Sequence, residues 1–342
     1  MKMYDLKLLL DKPVLNRNLL IGNGFSIAAS PRFKYSSIFN CADFSKIPWV
    51  KNIFTSLSTE NFELILNMLK SAQLVNKAAG NIEESENDAK AHSALVDIFI
   101  DTLGEIHPDN KIIYRSFECI TVEQFEANGK FLEKFNVIFS LNYDILLYWS
   151  ILENKLEYKF KDNFSIKDRN RSGLSFNESF LNCTSLWYLH GALHLRTDSK
   201  GMAYKIVANQ DSSILNQLKE SMSLFEYPTI VFEGSDEEKQ FSINSNRYLS
   251  IANKVFSNSY GALFTYGFSF NENDDHIIEA IKKSAISVLC VGLHGTIKKN
   301  QKIFEKCEGL KSTANHNFNT GSRASRLEVY YYNTDECGNI WQ

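Results

Sequence analysis

The chain has 342 residues, of which 44% are hydrophobic and 23% are charged, as in an ordinary globular protein with a sizeable core. This length predicts about two domains, or one large domain with insertions. The net charge of −3 and the sequence pI near 6.2 argue against a protein that coats nucleic acid or anionic lipid. We therefore expect no direct nucleic-acid partner.

The cysteines and the N-terminal segment narrow the class of protein further. No two cysteines form a Cys-x-x-Cys pair, so their spacing supports neither a zinc ribbon nor a dense disulfide framework. The apolar run at residues 8–10 is too short for the core of a signal peptide. The longest apolar run, at 287–293, suits a strand and not a membrane span. We expect a cytoplasmic protein that needs neither a membrane nor a metal.

Strand patterns and helix patterns alternate along the chain. Runs of β-branched, leucine and aromatic residues predict strands at 18–21, 137–141, 187–189, 229–232, 262–266, 287–292 and 328–332. Apolar residues at helical spacing predict helices at 61–77, 91–106, 121–135, 145–154, 248–256, 275–283 and 297–307. This alternation predicts an α/β fold with a Rossmann-like, mostly parallel sheet flanked by helices.

The predicted elements divide the chain into two parts. Residues 50–135 contain helix patterns and no strand pattern, so we expect a helical insertion after the first strand of the sheet. Residues 1–49 and 136–342 would then form the domain that contains the sheet. Polar, aperiodic stretches predict exposed loops or irregular insertions at 81–90, 155–182 and 313–325.

The first predicted strand runs into a turn with two glycines and a serine, Gly22-Asn23-Gly24-Phe25-Ser26. Glycines let backbone N–H groups approach a phosphate, and the start of a helix adds its positive dipole end. The third glycine of the usual dinucleotide fingerprint is absent, because Ile27 stands there. A tight turn without a ligand is therefore an equal alternative.

The second strand ends at Asn142 and Asp144, directly before an apolar helix pattern. Asn and Asp are preferred helix N-cap residues, but one cap needs only one of them. The other is left to hydrogen-bond a ligand, for which ribose hydroxyls are good candidates.

The third strand ends at His190, which Gly191 follows, and His194 lies four residues further. A metal site would need a third ligand, and none is evident from the spacing. We interpret one histidine as functional and the other as structural or exposed. His190 is the candidate general base, because imidazole titrates near neutral pH.

Two later strand ends complete the set of candidates. Gly267 and Ser269 form a Gly-x-Ser turn that could bound the same crevice on its other side. A turn before an acidic helix N-terminus, with Asp274 and Asp275, is the alternative. Asn333 ends the last strand and could meet an adenine or ribose edge. Ligands of such sheets bind at the carboxyl ends of the strands, so these residues predict one nucleotide-sized crevice.

Taken in chain order, these motifs resemble the sirtuin-like family of NAD-consuming domains. The family pattern is a glycine turn with serine, a T-x-N-x-D strand end, a catalytic His-Gly and a Gly-x-Ser turn. The matching segments here are 22–26, 140–144, 190–191 and 267–269, and 228–234 resembles the strand that precedes the last turn. The resemblance covers most of the chain outside the helical insertion and suggests a bacterial branch.

Deacylating sirtuins usually carry a zinc ribbon, which this chain lacks. The resemblance therefore implies NAD as a substrate that is cleaved with water as acceptor, as in NAD hydrolases of bacterial phage defence. Asn142 would hold the water or the nicotinamide ribose, Asp144 would order that network, and His190 would accept a proton. The glycine turn at 22–26 would face the pyrophosphate, and the turn at 267–269 would face the adenosine. A homo-oligomer or a partner defence protein, such as an ATPase, is also implied.

Two other functions remain open at this point. An NAD-dependent protein deacylase would use the same pocket with a different acceptor. A non-catalytic sensor would bind NAD or ADP-ribose and signal to a partner. A conventional dehydrogenase is less consistent with the incomplete fingerprint.

Overall fold

The protein consists of a parallel sheet flanked by helices and a second, antiparallel sheet. The computed structural model describes residues 2–106, 120–165, 174–198, 201–207, 214, 217, 228–231, 236–335 and 339–342. The described strands are β1 (Met3–Tyr4), β2 (Arg17–Ile21), β3 (Val137–Ser140), β4 (Phe164–Ser165), β5 (Leu174–Phe176), β6 (Leu186–Tyr188), β7 (Gly191–Thr197), β8 (Ala203–Lys205), β9 (Pro228–Ile230), β10 (Tyr260–Tyr266), β11 (Ala285–Leu293) and β12 (Glu328–Asn333).

The helices lie mainly between the strands of the parallel sheet. The described helices are α1 (Leu6–Leu10), α2 (Gly24–Ala29), α3 (Tyr35–Cys41), α4 (Pro48–Ser56), α5 (Phe62–Ala79), α6 (Ile82–Ile106), α7 (Val122–Leu132), α8 (Leu146–Glu153), α9 (Asp236–Ser245), α10 (Arg247–Ser257), α11 (Asp275–Lys283) and α12 (Gln301–Asn319). None of them is both long enough and apolar enough to cross a membrane.

The parallel sheet confirms the predicted fold class. Its strand order is β1-β12-β11-β10-β2-β3-β6, and every neighbouring pair is parallel. Without the short edge strand β1, which the sequence pattern did not reveal, the order is the 3-2-1-4-5-6 of a Rossmann-like sheet. The chain leaves β2 toward β3 and β6, and returns on the other side at β10. The direction of winding therefore reverses between β2 and β10.

The second sheet was not predicted. Its order is β4-β5-β8-β7-β9, and its pairings are antiparallel. The strand predicted at 229–232 corresponds to β9 and belongs to this sheet, while residues 232–234 lie outside the described part. Strands of two or three residues, such as β4 and β5 within the predicted insertion at 155–182, are too short to show an alternating pattern.

The helical segment between β2 and β3 begins at α2, before residue 50, and ends with α7. The polar stretch at 81–90, predicted as a loop, lies in the first turns of α6, after a left-handed turn at Gly80. The loop predicted at 313–325 is likewise helical as far as Asn319. Both stretches were misread because exposed helix faces are polar.

The helical segment shares its core with the sheet. Phe39, Phe54 and Phe62 form an aromatic cluster in which Phe62 contacts Phe99, with ring centroids 5.2 Å apart. Phe99 in turn contacts Tyr143, after β3, at 6.5 Å. The hydrophobic core is thus continuous from the helices to the carboxyl edge of the sheet.

Candidate active site

A cavity of about 360 Å³ lies at the carboxyl ends of β2, β3 and β10, where the direction of winding reverses. Parallel α/β sheets bind their ligands at this position. Eight residues singled out from the sequence line the cavity: Gly22, Asn23, Gly24, Asn142, Asp144, His190, Gly267 and Ser269. Parallel strands bring their carboxyl ends to one edge, so sequence-distant turns converge there.

The two glycine turns pack directly on each other. The N–H groups of Gly22 and Gly24 donate to the carbonyl oxygens of Tyr266 and Gly267, at 3.0 and 3.1 Å. A Cβ atom on Gly24 would lie 2.5 Å from the Cα of Gly267. The glycines therefore let the two turns touch. Since both N–H groups are donated within the protein, a phosphate in the cavity would need other donors.

Ser26, Asn142 and Asp144 form a buried hydrogen-bonded network. The Ser26 hydroxyl lies behind the cavity lining and donates to Asp144 Oδ2 at 2.6 Å. Asn142 Nδ2 donates to Ser26 Oγ at 2.9 Å. Ser26 thereby fixes the orientation of both side chains that follow β3.

The N-cap residue of α8 is Ile145, but Asp144 accepts from the first N–H of the helix, and this leaves Asn142 for another role. Asp144 Oδ1 accepts from the N–H of Leu146 at 2.9 Å. Burial raises the pKa of Asp144, while the hydrogen bonds from Ser26, Leu146 and Asn142 oppose that rise. Asn142 Oδ1 is buried and has no hydrogen-bond partner among the described residues. An unpaired buried acceptor is costly, so it indicates a place for a ligand donor.

His190 lines the same cavity and lies just after the carboxyl end of β6. It follows β6 and precedes Gly191, whose φ is +76° and whose Cβ would lie 1.9 Å from the Thr229 carbonyl oxygen. Glycine is thus required for the close approach of β9. The Nε2 atoms of His190 and His276 are 2.9 Å apart. Burial, followed by the neighbouring His276 and Lys239, holds the pKa of His190 well below its usual range.

The second histidine of the sequence motif is structural. His194 is fully buried in β7, where it stacks on Tyr148 with ring centroids 5.0 Å apart. Its edge contact with Tyr188 has a centroid distance of 4.9 Å. It does not line the cavity.

Asn333 is not brought to the cavity. It ends β12, beyond β11 and β10 from the reversal point, and its Oδ1 accepts from the N–H of Asp335 at 2.6 Å. This side chain closes the turn after its own strand. Its predicted contact with a nucleotide has no support from the position of the cavity.

Sequence reasoning missed a polar cluster beside His190. One ligating atom from each of His190, Asp274 and His276 lies within 4.8 Å of the others, a spacing that a metal ion could use. However, Lys239 is 1% exposed and its Nζ lies 3.0 Å from Asp274 Oδ1. A fixed ammonium at this carboxylate opposes a divalent cation. We therefore interpret the cluster as hydrogen-bonded and ion-paired.

The helical segment supplies an apolar wall that the sequence did not assign to the site. Its apolar contribution to the lining consists of Ile27, Phe33, Ile38, Phe99 and Leu103, and it also contributes the polar residue Asn61. Helical spacing in the predicted helix at 91–106 indicated that Phe99 and Leu103 would be buried, but not against which surface. The wall faces the polar strand ends and excludes water from one side of the cavity.

Acid should destabilise the protein partly through His190. The unfolded chain protonates this histidine below about pH 6.5, whereas the folded state keeps it neutral. The unfolded state then binds more protons, so the free energy of unfolding should fall as the pH falls from about 7 to 5. The contribution of His190 is at most about 2 kcal/mol at pH 5.

Urea unfolding of the parent protein and of His190→Gln at several pH values measures this contribution, and the variant should show the shallower slope. Asp144 acts in the opposite sense, since its raised pKa favours the folded state at low pH and loses that effect as the pH rises. Asp144 is present in both proteins, so its contribution to the pH dependence of stability cancels in the comparison. Equal slopes would show that His190 is protonated as readily in the folded state as in the unfolded one.

Comparison with known proteins assigns a family without an activity. Residues 19–341 match the family DUF4917, described as a domain of unknown function. No curated protein matches the chain.

Proposed function

We propose that this chain, which belongs to the DUF4917 family, is an NAD hydrolase that produces nicotinamide and ADP-ribose. One observation carries the proposal. Asn142 and His190 line one cavity at the point where the winding of a Rossmann-like sheet reverses. The side-chain oxygen of Asn142 is buried without a hydrogen-bond partner among the described residues, and His190 is a base that burial keeps neutral. The resemblance of the strand-end motifs to sirtuin-like domains supports the choice of NAD among nucleotides.

The size and lining of the cavity suit the nicotinamide riboside part of NAD. Its volume of about 360 Å³ lies near the lower end of the range for small-molecule pockets. Phe33, Phe99 and Phe268 offer aromatic surface for the nicotinamide ring. No Lys or Arg occurs in the described lining, so we assign the neutral side chain of Asn23 to the phosphate side and keep Ser269 on the adenosine side.

The chemistry follows from the strand-end residues. The bond between ribose C1′ and the nicotinamide nitrogen breaks, and neutral nicotinamide leaves with the electron pair. The positive charge that develops on the ribose is stabilised by the carboxylate of Asp144 and by the oriented Asn142 amide. Asn142 Oδ1 accepts a hydrogen bond from the water or a ribose hydroxyl. Water adds to C1′ and passes its proton to His190.

Control of the activity is part of the proposal, since constitutive loss of NAD would be toxic to a cell. We place the controlling contact on α5, where apolar side chains face solvent: Leu64, Met68, Leu74 and Val75. Such a surface suits a homo-oligomer or a partner protein such as an ATPase. The sirtuin-like resemblance suggests a role as a cytoplasmic effector of bacterial anti-phage defence.

Once it is activated, the purified protein should release nicotinamide from NAD at the same rate with and without an acyl-lysine peptide. The expected result follows from the absence of a zinc ribbon, on which the acyl-peptide channel of deacylating sirtuins partly depends. Chromatography with mass spectrometry identifies the products. Release that requires the peptide would favour a deacylase. Tight binding of NAD without any release would favour a sensor, and either result would contradict the proposal.

A further inference from the structure

A buried histidine, His276, contacts the candidate base His190. His276 lies in the first turn of α11, is buried, and does not belong to the cavity lining. Its Nε2 is 2.9 Å from Nε2 of His190, and the two rings are tilted by 31° with centroids 5.1 Å apart. The pair joins α11 to the turn between β6 and β7. This helix and this turn approach each other only in the folded protein.

A hydrogen bond between two imidazole Nε2 atoms restricts the tautomers of both rings. One Nε2 must carry a proton and the other must accept it. If His190 donates, its Nδ1 keeps a lone pair and can act as a base. If His190 accepts, its Nδ1 carries the proton and cannot act as a base. The direction of this bond therefore decides whether His190 can remove a proton from a substrate.

We propose that His276 is the positioning residue of the site, accepting from Nε2–H of His190 so that Nδ1 of His190 is presented to the cavity as the base. This inference rests on the proposed hydrolysis of NAD. As the bond from water to ribose C1′ forms, the water proton moves to Nδ1 of His190. The resulting imidazolium keeps its Nε2–H on His276, and this charge-assisted bond is stronger than the neutral one.

The surrounding charges favour this arrangement over protonation of the pair. Lys239 approaches from α9 and Asp274 from the residue before α11, and they neutralise each other at 3.0 Å. Asp144 approaches the same cavity from the end of β3. The two neutral rings carry one proton each, and a third proton in the resting state would add an unpaired charge in a site that already holds a buried ammonium. The resting pair is therefore neutral, with one of its two protons in the hydrogen bond between the Nε2 atoms.

The same cluster does not require a metal to explain its geometry. Two nitrogen atoms at 2.9 Å are at ordinary hydrogen-bond distance, and the carboxylate of Asp274 already has a cation beside it. A bound metal would instead need to displace Lys239 from Asp274. The metal is thus a distinct outcome that the experiment can detect.

Two substitutions separate positioning from simple packing. His276→Gln places an amide oxygen near the position of Nε2 and can still accept from His190. His276→Phe keeps a planar ring but removes the acceptor. We expect kcat for NAD to fall by roughly 10²-fold in His276→Phe, because a misplaced base loses about that factor. KM should change little, since His276 does not line the cavity, and His276→Gln should recover most of kcat. His316→Phe, at an exposed position of α12, is the matched control.

Nitrogen-15 NMR of the histidine side chains tests the pair without any turnover. In the parent protein His190 should carry its proton on Nε2, His276→Gln should keep that tautomer, and His276→Phe should not fix it.

A parent His190 protonated on Nδ1, or stoichiometric metal in elemental analysis of the purified protein, would overturn the inference. Unchanged kcat in His276→Phe, or equal losses in both variants, would also overturn it. A parent protein that shows the expected tautomer but releases no nicotinamide would contradict the proposed function alone.

Discussion

Replacing Asn142 by alanine should lower the rate of NAD cleavage by about 10²–10⁴-fold, the usual cost of removing one positioned catalytic group. The variant loses the unpaired Oδ1 acceptor of a residue that lines the cavity, and it loses the hydrogen bond from Nδ2 to Ser26. The lost hydrogen bond should cost only about 1 kcal/mol of stability, so the protein should remain folded. Steady-state release of nicotinamide measures the rate, and thermal unfolding measures the stability.

His190→Ala should have an effect of similar size, because the base is then absent. His316→Ala is the matched control, since this histidine is exposed on α12, far along the chain from every lining residue. It should cleave NAD at the parent rate. If Asn142→Ala or His190→Ala is folded and as active as the parent, the reacting atoms do not lie in this cavity.

Gly267→Ala should be among the most destabilising single substitutions in this protein. Gly267 has a φ of +66°, and an added Cβ would lie 2.4 Å from the backbone nitrogen of Phe25 and 2.5 Å from Gly24. The left-handed conformation and the backbone clash together should lower the free energy of unfolding by about 3 kcal/mol or more. Both turns at the carboxyl edge would separate, so binding of NAD should be lost as well.

Gly309→Ala is the control for the general effect of adding a methyl group. This glycine lies inside α12, and nothing is within 4 Å of the position of its Cβ. Alanine is favoured over glycine in a helix, so this variant should gain about 0.5–1 kcal/mol. Chemical denaturation compares the two variants. Equal stability of Gly267→Ala and the parent would mean that the two turns do not pack as the structure shows.

The residues at the cavity could be predicted because each of them ends a strand. A run such as 137–141 is recognisably apolar, and the polar residues that follow it mark its carboxyl end. Parallel pairing then brings several such ends together, as it does for Gly22, Asn142 and Gly267. Asn333 also ends a strand, but β12 is separated from β2 by two strands, and Asn333 is not part of the cavity lining.

The remaining parts of the site leave weaker traces in the sequence. Asp274 and His276 begin a helix, where polar residues are expected as caps, so their position near His190 could not be distinguished from local structure. Phe99 showed that α6 has a buried face, but helical spacing does not identify the surface that it covers. The contact of Phe99 with Tyr143 is set by tertiary packing.

The most direct test of the central claim is NAD cleavage by the purified protein in water enriched in oxygen-18. Hydrolysis at C1′ predicts nicotinamide and an ADP-ribose that carries one solvent oxygen, formed by the parent protein and by His316→Ala but not by Asn142→Ala or His190→Ala. Exchange of oxygen by free ADP-ribose is subtracted with a sample of unlabelled product. An activated preparation that binds NAD and leaves it intact, or that forms labelled ADP-ribose equally well without His190, would contradict the proposed hydrolase.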